Sequence, residues 1–191
     1  MTEPANSPTD LQTRQDLPDA LKALLREYPR DNWETHPNFI GLVRFWLDRH
    51  MMFRRILATL TEEATLRLDG NIDPQQYRSN LSRLGSMFVG ELHGHHNIED
   101  MHYFPILAQK DHRISIGFDI LDTDHHALDA VLNNYVEAAN AALRASDASN
   151  DETGRLLETT QDLGRLLHRH LLDEEDLVVP VILKHGAGGL G

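Results

Sequence analysis

The chain has 191 residues, long enough for one domain with a sizeable core. Its 18 basic and 30 acidic residues give a formal charge of −12, and no basic stripe occurs, which argues against nucleic acid or an anionic membrane as a partner. There is no cysteine, so disulfides, thiolate metal sites and cysteine nucleophiles are excluded, whereas the twelve histidines are well above an ordinary share.

The start, MTEPANSPTD, lacks the basic and apolar regions of a signal peptide, and no apolar run is long enough to span a bilayer. The expected location is the cytoplasm. Residues 1–16 are polar with two prolines and read as a disordered N-terminal arm. Within 17–35, Leu17 to Tyr28 reads as a short amphipathic helix with Pro18 in its first turn, followed by a loop. Four long helices are predicted over 36–185. The first runs from about Phe39 to Leu68 and stops at Asp69-Gly70-Asn71. The second starts after Asp73-Pro74 and runs to about Tyr103, where Pro105 bends or ends it. The third covers about Ile114 to Arg144 and the fourth about Glu152 to Leu183, with residues 186–191 a flexible tail. Short connections between long helices predict an all-α, up-down-up-down four-helix bundle with a short extra N-terminal helix.

The chain also repeats itself. A shift of 75 residues places His50 on His125, His93 on His168, His95 on His170, Glu99 on Glu174 and Pro105 on Pro180. Apolar positions follow: Trp46, Phe53 and Leu57 fall on Leu121, Leu128 and Leu132, and Phe88 and Leu92 on Leu163 and Leu167. Two helix pairs of similar design, related by a pseudo-twofold, are expected.

Helical periodicity turns part of this set inward. Val43, Trp46, Phe53 and Leu57 share a face with His50, and Phe118, Leu121, Leu128 and Leu132 share one with His125. His95 and Glu99 stack four residues apart beside Phe88, Leu92 and Ile98, as His170 and Glu174 do beside Leu163, Leu166 and Leu167. Four imidazoles and two carboxylates in an apolar core are costly unless something satisfies them, and a dinuclear metal centre would. Imidazole with carboxylate suits iron, zinc or manganese.

The segments HGHHNIEDMHYFP and HRHLLDEEDLVVP, with RH in the first helix and DHH in the third, resemble the hemerythrin-like HHE cation-binding family over about 36–185. The resemblance implies an oxygen-bridged, non-haem di-iron centre, with zinc or manganese as less favoured occupants. Glu99 and Glu174 would bridge, His50 and His95 would hold one iron, and His125 and His170 the other. The oxygen carriers of the family have a fifth histidine one turn after the third-helix histidine. That position is Asp129, expected to face inward, so reversible oxygen carriage is not expected. His96 beside His95, His102 two turns beyond it, and His93 and His168 off the stripe are candidates for additional ligands or for contacts behind the ligands. The leading functional reading is a di-iron protein that binds or responds to O2, peroxide, a related small oxidant, iron or redox state. The alternative is an oxidase, peroxidase or catalase-like enzyme at the same centre. No protein partner is identifiable.

Overall fold

A computed structural model describes residues 9–39, 41–146 and 149–190; among them the chain is all helix and turn. A 3-10 turn, Asp19–Lys22, runs into α1, Ala23–Glu27, and a second turn follows at Arg30–Asn32. The long helices are α2, Gly41–Leu68, and α3, Pro74–Ile98, then, after the short α4, Phe104–Lys110, come α5, Ser115–Arg144, and α6, Asp151–His185. None of the described helices is long and apolar enough to cross a membrane.

Local chemistry sets the boundaries. After α2, Gly70 takes φ 72°, a left-handed conformation that suits glycine. Asp73 caps α3, its carboxylate accepting the N–H groups of Gln75 and Gln76, and Pro74 occupies the first turn. Pro105 does not end the second helix. It lacks an N–H, and just before it the ladder widens into a π turn, Glu99–Tyr103, where the Phe104 N–H reaches back to the Glu99 carbonyl. α4 then continues the same path.

α2 packs against α3 and α6, and α5 against the same two, so the long helices are neighbours around a shared interior. One apolar cluster contains Phe53, Phe88, Leu128 and Leu163; another contains Val43, Trp46, Phe118 and Leu177. In sequence His50 on α2, His125 on α5, Glu174 on α6, and His95, His96 and Glu99 between Leu92 and Phe104 fall between members of the two clusters.

Both ends of the chain depart from expectation. The disordered arm expected over 1–16 is packed over 9–16: Leu11 is buried in the first cluster and Arg14 is buried among acidic partners. Residues 1–8 lie outside the described residues. The tail is not loose over 186–190, because Leu190 is buried and Lys110 Nζ donates to the Gly188 carbonyl at 2.9 Å. The single helix expected over Leu17–Tyr28 is divided into the first 3-10 turn and α1.

Candidate metal centre

α2 supplies His50, α3 supplies His95 and His96, and Glu99 opens the π turn. α5 supplies His125, and α6 supplies His170 and Glu174. All seven side chains are buried. They form two groups, His50–His95–Glu99–Glu174 and His96–His125–His170, and within each group the ligand atoms lie within 4.8 Å of one another. In the first, Nε2 of His50 and of His95 are 3.1 Å apart; in the second, Nε2 of His125 and of His170 are 3.1 Å apart. Glu99 reaches both, with Oε1 3.0 Å from His95 Nε2 and Oε2 3.6 Å from His125 Nε2. Glu174 does the same, 3.3 Å from His50 Nε2 and 3.5 Å from His170 Nε2.

The outer nitrogens are held from behind. His50 Nδ1 lies 3.0 Å from Glu175 Oε1, and His125 Nδ1 lies 2.7 Å from Asp100 Oδ1. Glu175 and Asp100 are themselves related by the 75-residue shift, so each half of the chain orients an imidazole of the other. Asp100 sits in the π turn; Glu175, one methylene longer, reaches His50 from an unbroken α-helix. His170 Nδ1 lies 3.4 Å from Asp124 Oδ2. A donor bond at Nδ1 leaves Nε2 with the lone pair, the tautomer a metal ligand needs.

The charges are mutually dependent. Burial and the neighbouring imidazoles push His95 down to about 3, and the same causes hold His96 well below the ordinary range. Burial lowers His125 as well. Burial also works against charged His170, but the proximity of Asp124 and Glu174 outweighs it and raises the group to about 9. Burial and the Glu174 charge raise Glu99 well above the carboxylate range, whereas His50, His170 and His95 overcome burial and lower Glu174. Without a cation, the cluster therefore needs protons to balance its carboxylates.

The donor set fits such a cation pair. Glu99 Oε2, both oxygens of Glu174 and His96 Nε2 are buried and make no hydrogen bond. Unsatisfied buried oxygens and facing imidazole nitrogens are costly, and divalent ions would satisfy them together. Nitrogen and oxygen donors without thiolate suit iron, zinc or manganese.

The family model for the hemerythrin HHE cation-binding domain matches residues 41–182. The chain belongs to that family. No curated protein and no solved structure matched it significantly. The matched span contains all seven clustered residues and begins after α1 and the turns around it.

Against the hemerythrin pattern, the expectation for Asp129 is corrected. Its side chain is half exposed and faces His93, with Nδ1 to Oδ1 at 3.6 Å. The buried residues of α5 include Leu121, Asp124, His125, Leu128 and Leu132, so the stripe runs on the Asp124 side of His125. Position 129, about 40° beyond a full turn, falls on the outer side. The fifth imidazole comes from α3 instead: His96 stacks on His125 with ring centroids 3.9 Å apart. His96, one of the candidate additional ligands, thus joins His125 and His170, whereas Asp129 does not. His93, His102 and His168 are exposed and do not join the cluster.

Four contributors were not singled out by sequence reading. Trp46 donates Nε1–H to Glu99 Oε1 at 2.6 Å, and Asp100, Asp124 and Glu175 hold the imidazoles. The 75-residue shift pairs Asp100 with Glu175, which was a usable signal for those two. A cavity of about 250 Å³ approaches the first group between α2 and α3, lined by Leu42, Phe45, Trp46, His95, Ile98 and Tyr103 among others.

Proposed function

We propose that the chain holds two iron ions in an up-down-up-down four-helix bundle and binds or responds to O2, peroxide or a related small oxidant. The observation that carries this reading is the pair of adjacent buried donor groups sharing Glu99 and Glu174, whose carboxylate oxygens lack hydrogen-bond partners. The bundle order is supported by the short breaks after Leu68 and Arg144. It is supported too by the way each apolar cluster joins residues preceding the site on one helix to residues following it on the next.

Bound iron would supply one-electron redox chemistry and a coordination position for a small molecule. The chain's own residues would orient the ions through five imidazoles and two carboxylates and limit water at the centre. The cavity beside His95, lined by Leu42, Phe45, Trp46 and Ile98 but also by Arg49 and Glu91, would admit a small oxidant to the centre.

A second reading, an oxidase, peroxidase or catalase-like enzyme, is favoured by one observation. Tyr103 lines that cavity and packs on Trp46 with ring centroids 5.6 Å apart, putting a phenol within the approach to the centre.

The test is elemental analysis of protein made in iron-rich medium, then anaerobic reduction, admission of air and optical spectroscopy, with peroxide turnover measured in parallel. Two irons per chain and a spectral response to air are expected. Zinc alone after iron supply, or an iron-loaded protein inert to both oxidants, would sink the reading. Sustained peroxide turnover would select the enzyme.

A further inference from the structure

Two arginines from outside the family-matched residues reach the back of the centre. Arg30, after α1, donates to Glu175 Oε2 at 2.9 Å, and Glu175 in turn holds His50. Arg14 goes deeper: its side chain is 0% exposed. Its guanidinium pairs with Asp124 through both terminal nitrogens, Nη1 lying 3.2 Å from Oδ1. Its Nε donates to Asp173 Oδ2 at 2.9 Å, and Nη1 also donates to the Thr9 carbonyl. Asp124 Oδ2 is the oxygen that lies 3.4 Å from His170 Nδ1. A continuous path of charged contacts therefore runs from the N-terminal segment to an imidazole of the His96–His125–His170 group.

Stability alone is a weak reason for this arrangement, because a buried ion pair is often no better than apolar packing of the same volume. Its geometry supplies a stronger one. The planar fork of a guanidinium fixes a carboxylate in orientation as well as position, which an ammonium does not. The repeat makes the device one-sided. Shifting Asp124 back by 75 residues gives Arg49, which turns outward to pair with Glu91. Among the described residues no carboxylate is bonded to His95 Nδ1 as Asp124 is to His170.

We propose that Arg14 is a positioning residue of the metal centre. It clamps Asp124 against Nδ1 of His170, turns Nε2 inward, and so makes the segment before the family domain a determinant of metal affinity at the three-histidine group. This rests on the reading of that group as a metal site.

The experiment titrates cobalt(II) into the metal-free, full-length protein against a chromophoric chelator, recording the cobalt ligand-field bands. The wild type should bind two ions. Arg14→Gln should weaken one of the two sites by about 10–100-fold and shift its bands, as loss of a partner behind a ligand does. Leu11→Ala, which loosens the same segment without removing the guanidinium, should lower the melting temperature and leave both affinities within about threefold of wild type by the same measure. Arg14→Gln added to Asp124→Asn should weaken binding no further, because the path runs through Asp124. If Arg14→Gln does not fold, Arg14→Lys carries the test. It keeps the charge without the fork, and a loss of about tenfold is expected. Two-site binding by the wild type with unchanged affinities in the Arg14 variants overturns the proposal, as does an equal loss in Leu11→Ala or an additive double variant. A wild type that binds no cobalt overturns the metal reading itself, and this proposal with it.

Discussion

Glu99 and Glu174 each approach imidazole nitrogens of both groups, and three of their four oxygens make no hydrogen bond. Removing either carboxylate would take away one of the two shared anions and leave two closely spaced cations under-screened. Glu99→Ala and Glu174→Ala are therefore expected to lose both ions, whereas His50→Ala retains one. Metal counts on purified variants decide this, and loss of a single ion in all three would make the glutamates terminal ligands. Asp129→His should leave metal content and spectra unchanged, because the side chain faces His93 at the surface. Protonation gives an independent check. His170 is raised to about 9, so at neutral pH the metal-free site carries a proton that an incoming ion must displace. Apparent affinity should rise with pH toward about 9 and weaken below it, by about tenfold per pH unit for each proton released. Uptake measured by calorimetry in buffers of different ionisation enthalpy reads the proton directly. An affinity flat across pH 6.5–9 would contradict a protonated His170.

Helix contacts depend on small residues at particular places. A Cβ on Gly117 of α5 would lie 2.8 and 2.9 Å from the two methyl carbons of Leu177 on α6 and 3.4 Å from its Cγ. Leu177 is itself fully buried, so the whole side chain would have to move. Gly117→Ala should destabilise by about 1–2 kcal/mol, the overpacking cost exceeding the gain of about 1 kcal/mol in helix propensity. Gly90→Ala on α3, where an added Cβ meets nothing within 4 Å, should instead stabilise by about 0.5–1 kcal/mol. Denaturant unfolding compares the pair, and a Gly117→Ala protein more stable than wild type would mean α5 and α6 are not held this closely. The π turn belongs to the same scale. It carries Asp100 to His125 just before Pro105, whereas Pro180, the counterpart by the 75-residue shift, stands inside α6 without such a turn.

At the scale of the whole molecule, the polar layer lies between two apolar clusters that do not depend on metal. Removing metal should leave the helices formed but expose the cost of facing carboxylates and imidazoles. An ion that binds only the folded state adds about 2.7 kcal/mol per site at a hundredfold excess over its dissociation constant. In a domain of this size that raises the melting temperature by about 5–10 °C. Circular dichroism melts of the metal-free and iron-loaded forms should differ by at least that, with similar helical signal at low temperature. Identical midpoints would be incompatible with ions bound at this buried layer.

Helix class, the inward stripes and the repeat were legible because periodicity and self-similarity are properties of neighbouring residues along one chain. His50, His95, Glu99, His125, His170 and Glu174 were named on that ground, and the structure brings all six together. Which residue completes the second group was not legible. His96 and Asp129 each sit a fraction of a turn from a stripe, and only the rotation of α3 and α5 against their neighbours turns one inward and the other out. The N-terminal segment departs from the expected disorder for a related reason. Its polarity is that of a solvated arm until Arg14 meets Asp124 and Asp173, partners 110 and 159 residues away that only the tertiary structure brings within reach.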